Sequence, residues 1–318
     1  MTQATMSRVE AFLTEVDRYS AHNYHPLPVV LEGGEGSWVW DVDGNRYLDM
    51  LSAYSALNQG HRHPSIIGAA LSQMQKLTLT SRAFHNDQMG PFLNALCEVT
   101  GFEKALPMNT GAEAVETAIK MVRKWGYKIK GVPEDRAEII VCENNFHGRT
   151  TTIVGFSSED QYKDGFGPFT PGFVEIPYGN SEVLEAAINQ NTVGFLVEPL
   201  QGEGGVVVPP PGFLSTAREL CTANRVAFMA DEIQTGLGRT GRMFCCDWES
   251  VRPDVQIVGK ALGGGVYPVS ATIADAEFMD VFDPGDHGST FGGNPLGAAV
   301  GLASLNVIVD EKLPERSD

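Results

Sequence analysis

The sequence predicts an α/β protein: a mostly parallel sheet covered by helices. Three observations carry that prediction. Short runs rich in Val, Ile, Leu and Phe, bounded by Pro, Gly or Asp, recur along the chain; amphipathic stretches of helical period lie between them; and 318 residues suffice to bury a large core. Strands separated by helices are joined by crossovers, which makes neighbours parallel and buries both sheet faces.

In chain order, the segment 28–50, PVVLEGGEGSWVWDVDGNRYLDM, stands apart from this pattern. An Asp-Gly pair between alternating apolar residues predicts an antiparallel hairpin, assigned here to a small N-terminal unit spanning 1–50. AEAVETAIKMVRKWGY and FLSTARELCTANR place apolar residues three and four apart and predict helices. EIIVCE, FVEIPY, VGFLVEP, VAFMADE and DVQIVG are too short and too uniformly apolar for surface helices and predict buried strands. No internal repeat or low-complexity linker interrupts the series.

Composition narrows the function. A formal charge of −17 disfavours nucleic acid or an anionic membrane surface, since both require clustered Lys and Arg. No apolar run reaches bilayer length, so a soluble protein is expected. The five cysteines, Cys97, Cys142, Cys221, Cys245 and Cys246, show no metal-ligand or C-x-x-C spacing and are expected to be reduced thiols. The opening residues mix acids with bases and have no apolar core, so a cytoplasmic location is expected. His61, His63 and His147 form no convincing metal set, and no metal is predicted.

Ligands of open parallel sheets collect at the carboxyl ends of the strands. Asp231 ends VAFMAD, and Lys260 follows DVQIVG one crossover later. A lysine in a closed pocket loses hydration, its pKa falls, and it becomes an amine able to form a Schiff base. In MNTGAEAVETA, a Thr-Gly-Ala turn opens a helix whose unpaired N–H groups can bind an anion; the competing reading is an ordinary N-cap by Thr110, with Glu113 completing a capping box. NNFHGRT offers Phe146 to stack on a flat heteroaromatic ring and Arg149 to fork onto a carboxylate. GLGRTG, 236–241, matches G-x-G-x-x-G literally, but it lacks the strand, tight turn and helix that a dinucleotide fingerprint needs. A Schiff-base lysine, a strand-end carboxylate, a phosphate cradle and a stacking aromatic are the parts pyridoxal phosphate requires.

FMADEIQTGLGRTG followed by DVQIVGKALGGG resembles the signature of the class III aminotransferases, pyridoxal-phosphate enzymes with the aspartate aminotransferase type of fold. Within that family AHNYHPLPVV, LSAYSALNQGHRHP, LTLTSRAFHND, DGFGPFTPGF and HGSTFGGNPLG resemble the ornithine-using branch, and the likeness runs from about Ala21 to the last few residues. It implies a cofactor-binding large domain over 51–305 with a mostly parallel seven-stranded sheet. It also implies that 306–318 begin a C-terminal domain that is here truncated. The reaction implied is transfer of the δ-amino group of ornithine to 2-oxoglutarate, giving glutamate 5-semialdehyde and glutamate, in a homodimer. The alternatives within the family use acetylornithine or 4-aminobutyrate; a non-catalytic remnant that binds cofactor is the other.

The resemblance also implies roles. Lys260 would hold the cofactor and move the proton, and Asp231 would keep the pyridine nitrogen protonated. Gln234 would hydrogen-bond the ring oxygen. Gly111 and Ala112 would bind the phosphate through their N–H groups, Phe146 would stack on the ring, and Thr290 would reach the phosphate of the partner's site. Glu198 would lie nearby with no firm role. Tyr24 and Arg149 would hold the α-amino and α-carboxylate ends of ornithine, with Tyr54 shaping the pocket. Glu203 would be a buried switch, paired in the family with an arginine that has no counterpart here.

Overall fold

The computed structural model describes residues 7–318. Among these residues ten strands form two sheets. The smaller sheet consists of β1 (Leu31–Glu35), β2 (Trp38–Asp41) and β3 (Arg46–Leu48), antiparallel throughout. The turn between β2 and β3 contains the predicted Asp-Gly pair. It is tied by Asp41, whose carboxylate accepts from the N–H groups of Asp43 and Asn45 and from the Tyr47 hydroxyl.

The larger sheet contains β4 (Lys104–Met108), β5 (Glu138–Cys142), β6 (Phe173–Ile176), β7 (Thr192–Val197), β8 (Ala227–Asp231), β9 (Val255–Val258) and β10 (Ser270–Ala274), in the order β4-β10-β9-β8-β7-β5-β6. β10 runs antiparallel to both of its neighbours, and the remaining pairs are parallel. The five predicted strands are β5 to β9. β4 and β10 are additions, and β10 is the one reversal in a sheet otherwise of a single direction.

Alternation along the strands sends side chains to two cores. Ile139 and Val141 pack with the helix Gly111–Trp125 on one face, whereas Ile140 and Cys142 pack with the helix Phe213–Ala223 on the other. The first of these helices buries Ala114, Val115, Ala118, Ile119, Met121, Val122 and Trp125, a spacing of three and four that makes one continuous stripe. A third cluster joins Phe92 and Leu96 to Val258 and Leu262 beneath the helix Pro295–Asp310. That helix runs without a break across residue 305, where the sequence reading ends the large domain.

Because β4, β5, β7, β8 and β9 point the same way, their carboxyl ends share one edge. This alignment gathers residues distant in sequence into a single site. The segment 236–241 consists of turns, with no helix after it until the short 3-10 turn Cys245–Glu249, so the dinucleotide reading has no structural basis.

Candidate cofactor site

At that edge lies a cavity of about 200 Å³ bordered by Gly111, Ala112, Phe146, Glu198, Asp231 and Lys260, among others. The side chains arrive by a shared route, from the last residue of a strand or from the one to four residues that turn over the rim after it. Asp231 is the last residue of β8. Lys260 lies two residues beyond β9, in the left-handed region at φ 40°, a conformation costly for a residue with a Cβ.

The first turn of the helix Gly111–Trp125 shows that capping and anion binding coexist. Thr110 Oγ1 accepts from Glu113 N at 3.3 Å, Glu113 Oε2 accepts from Thr110 N at 2.9 Å, and Ala114 N donates to the Thr110 carbonyl at 3.2 Å. The capping box consumes its own donors and leaves the N–H groups of Gly111 and Ala112, both at the cavity wall, outside the helix ladder. Gly148 lets the opposite wall close down: at φ +128° a Cβ there would stand 2.9 Å from the Ala112 Cβ.

The electrostatic centre is a buried pair. His147 Nδ1 lies 2.7 Å from Asp231 Oδ2, with side-chain exposures of 0% and 4%. Asp231 Oδ1 accepts from Ile233 N at 3.1 Å. Burial pulls the His147 pKa down, but its bond to Asp231 and the nearby carboxylates outweigh this and the net shift is upward. Glu198 accepts from Phe146 N at 2.9 Å, and burial pushes its carboxyl to about 7. Burial also drives the Lys260 ammonium below its ordinary value, against the opposing pull of Glu203, Asp231 and Glu198. His61 and His63 face Asp49 and Glu311 at 2.8 Å each, so the three histidines have three separate carboxylate partners.

Seven of the residues expected from the sequence thus meet around one cavity: Lys260, Asp231, Gly111, Ala112, Phe146, Gln234 and Glu198. Within it, Gln234 turns its amide outward, with Nε2 at 3.4 Å from both the Tyr54 carbonyl and Glu203 Oε1. The others lie outside. Arg149 stacks its guanidinium 3.6 Å from the Tyr162 ring centroid and 5.5 Å from that of Phe146. Tyr24 is 71% exposed and Tyr54 51%, so neither closes over the cavity in this chain. Glu203 is exposed, contrary to the buried position expected, because the turn 202–205 lifts it off the sheet edge. Thr290 is exposed on the loop 288–294; its neighbour Ser289 accepts from Asn109 Nδ2 at 2.8 Å, which puts the loop beside the start of the helix Gly111–Trp125.

His147 is the participant that sequence reasoning left out. A signal existed: it follows a buried strand by five positions, between two residues already singled out. Its partner lies 84 residues away on another strand, and no local pattern shows that pairing.

A lysine of lowered basicity, a buried acid held by a histidine, and free amides at a helix start define a pyridoxal-phosphate type of site on this sheet. Residues 19–318 match the family described as aminotransferase class-III, and the chain belongs to that family. More particularly, it is 61% identical to an ornithine aminotransferase of Brevibacillus brevis over 98% of this chain and 78% of that protein. Among solved structures, an ornithine aminotransferase from Toxoplasma gondii superposes with a TM-score of 0.97 at 48% identity, covering 98% of this chain and 74% of that one. A second structure of the Toxoplasma protein has PLP at partial occupancy in its active site. An acetylornithine aminotransferase from Elizabethkingia anophelis matches with a TM-score of 0.89 at 56% identity, over 97% of this chain and 76% of that one.

Proposed function

We propose that the chain transfers the δ-amino group of ornithine to 2-oxoglutarate with pyridoxal phosphate as carrier, giving glutamate 5-semialdehyde and glutamate. The observation that carries the reading is the convergence of Lys260, the His147–Asp231 pair and the two uncommitted amides of Gly111 and Ala112 on one cavity. These residues fit the cofactor group by group. The amides at the positive end of a 15-residue helix suit a phosphate. Asp231, its carboxylate fixed by His147 and Ile233 N, suits a protonated ring nitrogen. Phe146, held through its backbone by Glu198, suits the ring face. When bound, pyridoxal phosphate supplies a carbonyl that takes up amines and a ring that accepts electrons.

The chain's own part is to bind, orient and move protons. Lys260, whose ammonium is destabilised by burial, gives up its proton readily and then serves as base and acid at the substrate carbon. Gln234 binds the ring oxygen once its amide turns inward. Arg149 and Tyr24 receive the α-carboxylate and α-amino ends of ornithine, Tyr54 borders that pocket, and Glu203 balances charge beside them. Thr290 reaches the neighbour's phosphate in a homodimer, so removal of cofactor weakens association in sedimentation. The small N-terminal sheet forms part of a second, smaller domain, and the protein works in the cytoplasm.

Acetylornithine is the competing substrate, favoured by the likeness to the Elizabethkingia structure. Loading the protein with pyridoxal phosphate and following its visible band separates the two. Ornithine bleaches the band, and N-acetylornithine does so far more slowly. Preference for the acetylated amine overturns the substrate assignment, and absence of any band overturns the cofactor assignment.

A further inference from the structure

The residue after Asp231 has no part in the site described so far, yet all its polar atoms are engaged. Glu232 is 1% exposed. Its Oε1 accepts from Cys246 N at 2.9 Å, and its Oε2 accepts from Cys245 N at 2.7 Å and from Thr235 Oγ1 at 2.9 Å. Its backbone N–H donates to the Ile257 carbonyl on β9 at 2.9 Å, and its carbonyl accepts from Gly236 N at 3.0 Å.

These bonds have a topological result. Residues 233–244 leave the end of β8 and return to the 3-10 turn Cys245–Glu249, which begins at the two amides Glu232 holds. A single carboxylate therefore fastens both feet of the loop. Its first three residues, Ile233, Gln234 and Thr235, are wall residues of the cofactor cavity. The loop also reaches the N-terminal segment, since Asn58 Nδ2 donates to the Leu237 carbonyl at 3.0 Å.

We infer that Glu232 is a positioning residue of the cofactor site: its carboxylate closes the 233–244 loop and so holds Gln234 and its two neighbours in the cavity wall. The inference rests on the cofactor reading above. A carboxylate is suited to the task because both feet present donors, and burying an acidic side chain at such a point is otherwise costly. Glutamine cannot replace it. Whichever way its amide is turned, the NH₂ group faces one of the backbone N–H groups of Cys245 or Cys246, and one fastening bond is lost.

The test compares the whole chain with Glu232→Gln. Without cofactor, amides of residues 233–246 in the variant should exchange with solvent about tenfold faster or more, the cost of one unmet buried N–H. Loaded with pyridoxal phosphate, the variant should show a shifted pH midpoint of the visible band and a kcat for ornithine lowered about tenfold, with KM little changed. Val300→Ala, a buried site in a cluster that includes none of residues 232–246, serves as a control of lowered stability and should change neither loop exchange nor the midpoint. Wild-type-like exchange and midpoint in Glu232→Gln, or the same changes in Val300→Ala, overturn the inference. Should Glu232→Gln fail to fold, Thr235→Val removes the hydroxyl bond alone and must move both readouts in the same direction; no movement overturns the inference. If the wild-type chain itself shows no visible band, the cofactor reading has failed instead, and loop exchange in the unloaded variant still decides the role of Glu232.

Discussion

Replacing His147 with Phe removes the donor to Asp231 while keeping a ring of similar size in a fully buried position. The His147–Asp231 contact is 2.7 Å, and after its loss the carboxylate keeps one protein donor, Ile233 N at 3.1 Å. A hydrogen bond to a charged group contributes about 1.5–3 kcal/mol, equivalent to roughly ten- to 150-fold in an equilibrium or rate. If His147 acts through Asp231, kcat/KM for ornithine falls within that range and pyridoxal phosphate binds more weakly. His147→Gln, whose amide can still donate, recovers part of both. Steady-state kinetics and titration of apoprotein with pyridoxal phosphate provide the two numbers. The raised pKa of His147 adds a pH signature. The pair's contribution to stability is complete below the unfolded histidine value near 6.5 and is lost as pH rises through the higher folded value. Urea unfolding at pH 6 and pH 9 should therefore differ more for wild type than for His147→Phe. Turnover of His147→Phe within about twofold of wild type refutes the reasoning, as does a Gln variant no better than the Phe variant.

Lys260→Ala should abolish covalent retention of pyridoxal phosphate, read as loss of the visible band after gel filtration; a surviving band would show that another amine serves. Gly148→Ala should cost about 1–3 kcal/mol in urea unfolding, because the left-handed backbone and the 2.9 Å approach to Ala112 both oppose a Cβ, and it should weaken cofactor binding as well. Burial raises the Glu232 carboxyl from 4.5 to about 7, so its native form takes up a proton that the unfolded chain does not. Its ionisation therefore weakens the fold above that range by up to about 3 kcal/mol, and acidification from pH 8 to pH 5 should stabilise wild type relative to Glu232→Gln. A pH-independent difference between the two in urea melts would contradict the assignment.

Legibility in the sequence followed the kind of burial each element experiences. β5, β7 and β8 are covered on both faces and read as nearly uninterrupted apolar runs, whereas β9 carries a buried Gln256 and β6, at the sheet edge, an exposed Glu175, and these two are marked by the Val, Ile and Phe around those residues. β10 escaped notice because its segment, SATIA, mixes small residues with two hydroxyls and has a single large apolar side chain. Ser270 and Thr272 sit under the helix Gly111–Trp125, where their hydroxyls donate to the carbonyls of Thr110 and Ala114 at 2.7 Å, and larger side chains would push the helix off the sheet. β4 was hidden by Pro107, which is tolerated because β4 is an edge strand with β10 on one side only.

The same logic separates the two halves of the site. Residues expected to touch the cofactor sit at the ends of sheet strands or at a helix start, where the ladder fixes their direction, and these positions follow from the strand pattern once a parallel sheet is assumed. The residues assigned to ornithine and to charge balance, Tyr24, Tyr54, Arg149 and Glu203, lie on exposed segments whose backbone is set by contacts between distant parts of the chain. Tyr54 is an instance. It has φ 58° in a run of left-handed residues from Ser52 to Ser55, a conformation no propensity would suggest. What holds its carbonyl is Gln234, from the loop that Glu232 fastens. The segment proposed to border the substrate is thus tied to the loop that lines the cavity. Loosening the 233–244 loop should accordingly disturb Tyr54 as well as Gln234, even though the tyrosine lies nearly two hundred residues away in sequence.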